Sequence, residues 1–423
     1  MFSLFAVVLV CSFFCVLYFP RVVAWFSSLK PQEKIISSKK HRLALFVPAR
    51  NEGKNVIPLF ESIKNQTYDS SYFDTFVVVK NPEDEVYDYA KICNAEVFCD
   101  ITQNCKGDCT DYTFKQILEK YPDKYDGFII VDADCLLDKN FLAEMNNALS
   151  SGADIINSKK RVKNYYVNPE KNSNLVTACN GLIWTLMDDM GNRFKSDHGI
   201  KTMTVTTGIL LSKKVVNDMQ GWAYKQTLTE DMELARDAIL KDYKCLYYSH
   251  AIIYMEEALT LSETNKRRSR WMHGIIHADY IYFSAILKNV LHGTKNSLKN
   301  AYFTFSLWFV YLFILTLLCM AGVNIGFSLT NFFLTGFLNL SSIFVSLVCF
   351  LLIYFSFFVM TLAALLVNKN DMRLSKMGFL KVLLVHPIFY MGYISIVLKA
   401  IFSKNNKKWE VIERIVENTK VLG

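Results

Sequence analysis

Asp132 and Asp134 stand one residue apart, directly after an uncharged apolar run over 128–131. Such a run reads as a buried strand. Two carboxylates at its C-terminal end can share a hard divalent cation, Mg²⁺ or Mn²⁺, and bridge it to a diphosphate. The plain alternative is a pair of solvated loop acids. Further along come Thr229, Glu230 and Asp231. A carboxylate there can take the proton from a hydroxyl nucleophile, or the triplet can be a helix start, with Thr229 as N-cap and acids complementing the dipole. The third group is Arg267, Arg268, Ser269, Arg270 and Trp271. Arginines can hold a diphosphate through charge-assisted hydrogen bonds, and an indole face can carry a sugar ring. The competing reading is a basic, aromatic flank of a membrane helix.

In this order and spacing the groups stop being independent. Val47-Pro48-Ala49-Arg50-Asn51-Glu52, then Asp132-Ala133-Asp134, then Thr229-Glu230-Asp231, then Arg267 to Trp271 resemble the family-two glycosyltransferases of the cellulose, chitin and hyaluronan synthase type. The resemblance runs from about Leu43 to Gly274 and takes in Thr207-Gly208, Gly221-Trp222 and Ala251-Ile252 leading to Glu256. It extends weakly to Lys408-Trp409-Glu410. It implies an α/β GT-A (Rossmann-like) nucleotide-sugar-binding domain flanked by transmembrane helices, and an inverting transfer from a nucleotide-diphosphate sugar, UDP by family habit.

Carried over residue by residue, the resemblance assigns the metal to Asp134 with help from Asp132. Asn51, Glu52, Asp84, Lys106, Asp132 and Arg270 face the donor. Asp231 becomes the catalytic base with Glu230 beside it, and Trp271, Thr207 and Gly208 face the acceptor. Two positions depart from the pattern. Arg267 stands where the family usually has glutamine, a substitution that resembles ceramide glucosyltransferases. After the strand over 76–79 the family commonly has a base-contacting aspartate, whereas this chain has Lys80 and offers Asp84 in its place.

The elements that must position these residues alternate between strand-like and helix-like stretches from His41 to about Tyr280, which predicts an α/β layer with a mainly parallel sheet. Strands are expected over 43–47, 76–79, 96–98, 128–131, 205–212 and 245–249. Helices are expected over 51–66, 85–92, 110–120 and 230–240, with a basic helix from about Ser262. Carboxylates at the C-terminal end of a central parallel strand lie where open sheets bind ligands.

Both ends of the chain are lipid-like. Met1 to Pro20 carries no charge and is followed by Arg21, Lys30, Lys34, Lys39, Lys40 and Arg42, so it reads as an anchor with its basic flank in the cytoplasm. Spans are expected over 301–323 and 341–367, with a third candidate over 379–402 that is interrupted by His386, Pro387 and Gly392. Basic residues on both sides of that third segment create a parity problem. Either it re-enters or lies in the interface, or the stretch 327–340 supplies an extra crossing. The expected organisation is therefore an anchor over 1–27, a cytoplasmic catalytic domain over 28–300, and a membrane region with a basic tail over 301–423.

The 423 residues carry a formal charge of +8 and are 52% hydrophobic. A basic collar suits anionic lipid headgroups and a polyanionic nucleotide. No basic and aromatic stretch points to nucleic acid. Eleven scattered cysteines without framework spacing suit a reducing compartment. Cys105 and Cys109 form at most half a metal site. The expected partners are a nucleotide-sugar donor, a polysaccharide or lipid acceptor, and the membrane; oligomeric state is left open. Polysaccharide synthesis is the first functional expectation, single transfer to a lipid the second, and a non-catalytic membrane scaffold the third.

Overall fold

A computed structural model describes residues 2–402, so Lys408, Trp409 and Glu410 lie outside the described residues. The central feature is an eight-stranded sheet in the order β3-β2-β1-β4-β7-β6-β8-β5. Its strands are β1 Leu43–Pro48, β2 Phe73–Val79, β3 Glu96–Cys99, β4 Gly127–Ile130, β5 Leu136–Leu137, β6 Ile155–Val162, β7 Ile209–Ser212 and β8 Cys245–Met255. β1, β2, β3 and β4 run parallel. Their C-terminal ends, and the loops that follow them, therefore meet along one edge.

The other half of the sheet is mixed: β6 and β8 pair parallel, whereas β7 is antiparallel to both β4 and β6 and β5 is antiparallel to β8. Antiparallel β7 delivers the chain entering it, Thr206 to Gly208, to the same edge where β4 ends. One apolar cluster packs on each side of the sheet, the first including Leu45, Val77 and Ile129, the second Phe46, Phe128 and Leu211. Alternation of side chains along the strands sends successive residues to opposite faces.

Local chemistry explains the other differences. The helix expected over 51–66 is a short 3₁₀ turn, Gly53–Val56, followed by the helix Ile57–Lys64. Asn51 and Gly53 both adopt positive φ, 57° and 51°, which a right-handed helix does not accommodate. The helix expected over 110–120 begins earlier, at Lys106, because Cys105 and Asp108 form a reciprocal cap. The segment expected as a helix over 85–92 is one turn, Val86–Tyr89, and a 3₁₀ turn. The strand expected over 205–212 starts only at Ile209. β8 is longer than its expected 245–249 because pairing with β6 resumes after a register shift at Ser158/Lys159.

Among the described residues, four helices are long and apolar enough to cross a membrane: Leu4–Ser27, Ser297–Thr335, Leu340–Val367 and Lys376–Phe402. The stretch 327–335 is the end of the Ser297–Thr335 helix, capped by Gly336 in the left-handed region, so it supplies no separate helix. The fourth is broken at Gly392 into Lys376–Met391 and Tyr393–Phe402. Its first half runs along Leu340–Val367, with Thr361 Oγ1 2.7 Å from His386 Nδ1 and Phe357 against Tyr390. Its second half packs Tyr393, Ile396, Val397 and Ala400 against Met272, on the helix Leu261–Leu291.

The catalytic-side and apolar helices are tied through a buried ion pair. Arg236, on the helix Glu230–Leu240, donates from Nε and Nη2 to Asp279 Oδ1 at 2.9 and 2.6 Å. Asp279 Oδ2 accepts from Trp308 Nε1 at 2.9 Å. Both charged side chains are buried. Asp279→Ala strands the guanidinium and is expected to destabilise the fold by about 3–5 kcal/mol, whereas the double change Arg236→Met with Asp279→Leu costs far less. Denaturation of the detergent-solubilised variants measures this; equal losses would contradict the pairing.

Candidate functional site

β4 ends at Ile130, and the chain then turns through Asp132, Ala133 and Asp134. The backbone N–H of Asp132 donates to Thr207 Oγ1 at 3.0 Å, and Gly208 N–H donates to the Ile130 carbonyl at 2.7 Å. Thr207 and Gly208, expected on the acceptor side, thus brace the aspartate turn directly. Gly208 has φ +71°, and a Cβ there would lie 2.3 Å from Ser158 Oγ, so both conformation and space call for glycine.

Across the edge, Lys106 opens its helix with Nζ 2.5 Å from Asp132 Oδ1 and 3.9 Å from Glu230 Oε1. Burial opposes its charge, but Asp132, Glu230 and Asp231 outweigh it and hold the lysine above its ordinary pKa. Lys163, which the sequence did not single out, donates to the Asp134 carbonyl at 3.0 Å and pairs with Glu256 at 3.5 Å.

Glu230 and Asp231 occupy the first turn of their helix. Thr229 is at the N-cap position, yet its side chain makes no capping bond; Glu233 instead accepts from the N–H groups of Gln226 and Thr227 at 3.0 and 2.6 Å. Thr206 Oγ1 donates to Glu230 at 2.9 Å, the Thr206 N–H points at Asp231 Oδ2 from 3.4 Å, and the Thr204 hydroxyl donates to the Asp231 carbonyl. Burial pushes the Asp231 carboxyl well above the usual carboxylate range, and the like charge of Glu230 adds to this; Lys106 opposes it. That is the condition of a carboxylate poised to accept a proton.

The helix Leu261–Leu291 separates the roles of its arginines. Arg270 feels Glu230, Asp132 and Asp231 against the cost of its burial, so it belongs to the carboxylate cluster. Arg268 instead lies 4.0 and 3.8 Å from the ring centroids of Phe389 and Tyr393. Arg267 donates to the Glu256 carbonyl at 2.8 Å and lies 3.8 Å from Glu257. Trp271 meets Trp184 edge to face at 5.8 Å, and Trp184 Nε1 donates to Glu257 at 2.6 Å. Trp271, Arg267, Arg268, Asn180 and Tyr393 line one small cavity.

The remaining expected donor residues occupy the loops after β1 and β2. Asn51 and Glu52 follow β1, where Arg50 Nη1 reaches the Asn104 carbonyl at 3.3 Å. Asp84 accepts from the Val86 N–H at 3.1 Å and so shapes its own turn. Lys80 donates to the Gln103 carbonyl at 2.8 Å.

Among the described residues, no group of three or more His, Cys, Asp or Glu side chains could by itself hold a metal. Asp132 and Asp134 supply two carboxylates, and an ammonium already balances one of them. That donor set suits a hard cation completed by phosphate oxygens rather than a closed protein cage. Burial, with Asp134 and Asp132 adding to it, holds the Cys135 thiol well above its ordinary pKa.

A Cβ on Gly274 would lie 2.2 Å from Thr229 Oγ1, so the helix carrying Arg270 crosses the start of the helix carrying Asp231 at glycine-only distance. Gly274→Ala is expected to cost about 1–3 kcal/mol by overpacking, and adding Thr229→Gly should return most of it. Melting midpoints of the single and double variants check this; no recovery in the double variant would place the strain elsewhere.

A family model described as "Glycosyl transferase family group 2" matches residues 127–367, a stretch that holds Asp132, Asp134, Asp231, Arg270 and Trp271. No curated protein matches the chain. Among solved structures, the mannosyltransferase PcManGT from Pyrobaculum calidifontis, in complex with GDP-Man and Mn²⁺, is similar at 12% identity with a TM-score of 0.55, over 94% of this chain and 99% of that one. S. aureus TarS 1-349 in complex with UDP-GlcNAc is similar at 16% identity with a TM-score of 0.37, over 64% of this chain and 80% of that one. The first likeness is one of fold, and it makes the α/β domain GT-A-like.

Proposed function

The chain belongs to glycosyl transferase family group 2, and from that premise we propose that it transfers a sugar, with inversion, from a nucleotide-diphosphate donor to a hydroxyl of a membrane-held acceptor. The observation that carries this reading is the grouping of Asp132, Glu230 and Asp231 around Lys106 and Arg270 at one sheet edge, with Asp134 two residues past Asp132 in sequence. Mg²⁺ or Mn²⁺ held by Asp134 and Asp132 would neutralise charge on the donor diphosphate. Lys106 keeps Asp132 oriented, and Arg270 offers a desolvated cation to the leaving diphosphate as its charge develops. Asp231 takes the acceptor proton as the new bond forms. Trp271, steadied by Trp184, supplies the aromatic wall on which an acceptor sugar or headgroup rests.

Packing of the apolar helices supports a single transfer over polymer export. Val7, Ile314, Leu317, Val345, Cys349, Ile353 and Phe357 join three helices in one buried cluster, so the space between them is filled with side chains. By the positive-inside rule, the basic residues following the first helix support a cytoplasmic catalytic domain. Polysaccharide synthesis is the second reading, resting on the resemblance to synthases, and product size separates the two.

Membranes containing the protein are expected to label one extractable product from a panel of radiolabelled nucleotide sugars, with turnover lost in EDTA and restored by Mg²⁺ or Mn²⁺. A ladder of high-molecular-weight product would favour the polymer reading, and no turnover with any donor would overturn the enzyme reading. Asp231→Asn should lower kcat by about 10²–10⁴-fold.

The pH dependence has a definite sign. A base works only when deprotonated, so kcat/KM falls as pH drops through the raised pKa of Asp231. Glu230→Gln removes the like charge that raises it, so the acid limb should move to lower pH. A limb that stays put or moves up would exclude Asp231 as the group reported.

A further inference from the structure

The turn between the helices Leu340–Val367 and Lys376–Met391 docks on the catalytic domain through Asp371. Its carboxylate lies 2.6 Å from both Lys159 Nζ and Arg161 Nη2, on β6. Two residues on, Arg373 adopts φ 48° and holds its guanidinium 4.1 Å from the Tyr166 ring centroid. Asp371 is taken up by β6, so it is not the partner of Arg373.

Beside this turn runs a groove of about 290 Å³, bounded on the catalytic side by Tyr165, Leu175 and Ala178 and on the other by Leu374, Val382 and the cations Arg373 and Lys381. Among the described residues, no acidic side chain lines it. Glu170, next to the lining residue Pro169, is exposed. Arg373 and Lys381 are exposed as well, while Val382 and Ala178 are buried at the floor. An apolar floor under a cationic rim, at the ends of two helices able to cross a membrane, matches an amphiphile with an anionic head and an apolar tail.

We propose that this groove binds one anionic phospholipid, its phosphate held by Arg373 and Lys381 and its proximal acyl chain lying on Leu374, Val382 and Leu175. The site is distinct from the carboxylate cluster and from the cavity beside Trp271. It rests on the reading that these helices span the membrane, and not on the catalytic assignment. The bound lipid would fix the height of the catalytic domain above the bilayer, because the same turn carries Asp371 to β6.

The test is native mass spectrometry of the full chain released from detergent micelles containing equal amounts of phosphatidylglycerol and phosphatidylcholine. Selective retention of a single phosphatidylglycerol is expected, with Arg373→Ala and Lys381→Glu each weakening retention by about fivefold or more. Unshifted melting midpoints in detergent report that both variants are folded, independently of any turnover. Equal retention of the two lipids by the wild type, or unchanged phosphatidylglycerol retention in folded Lys381→Glu, would overturn the proposal.

Discussion

The crossing of two helices, one carrying Asp231 and the other Arg270, is the constraint on which the rest of the structure depends. Gly274 lets the backbone of Leu261–Leu291 approach Thr229 more closely than any side chain allows. One turn past Asp231, Arg236 closes on Asp279. Two contacts on one pair of helices fix both their separation and their rotation, so the base and the cation cannot drift independently. Trp308 extends the second contact to the first of the C-terminal apolar helices. The carboxylate-bearing edge is in this way registered against helices long and apolar enough to cross a membrane.

Charge at the edge is balanced within short reach. Three carboxylates, Asp132, Glu230 and Asp231, act on Lys106 where β4 and the Glu230–Leu240 helix meet, and Asp134 follows two residues past Asp132. Lys106 touches Asp132 and approaches Glu230, Lys163 holds the Asp134 turn from behind, and Arg270 answers from the neighbouring helix. Thr206 donates its hydroxyl to the Glu230 carboxylate, while the Thr204 hydroxyl donates to the Asp231 backbone carbonyl and the Thr207 hydroxyl accepts from the Asp132 backbone N–H. Burial, with the like charge of Glu230 adding to it, raises the pKa of Asp231 against the opposing charge of Lys106.

Much of the site was legible because its residues sit where regular elements begin or end. The apolar run before Asp132 marked a central strand, and the acids after Thr229 marked a helix start; both stand in the structure. β6 was not legible. Its sequence, with Asn157, Ser158, Lys159, Lys160 and Arg161, alternates in no apolar pattern, yet Asn157, Ser158 and Lys160 are buried through partners distant in sequence. Lys160 reaches Asp188 at 3.6 Å and the Ser158 carbonyl at 3.0 Å. The antiparallel insertion of β7 was hidden for a related reason, since strand direction is set by which neighbour the chain returns to and leaves no mark in local composition. The separate fates of Arg267, Arg268 and Arg270 follow from helical spacing, which puts adjacent residues on different faces, but naming the face of each required the partners.

The central claim is a direct displacement at the anomeric carbon, assisted by Asp231. The most direct measurement is the anomeric configuration of the first transferred sugar, read by proton NMR on purified product and compared with that of the donor. The account predicts the opposite configuration, and loss of that product with Asp231→Asn. Retention of the donor configuration would contradict it, because retention requires a second displacement that this cluster of residues is not assigned to perform.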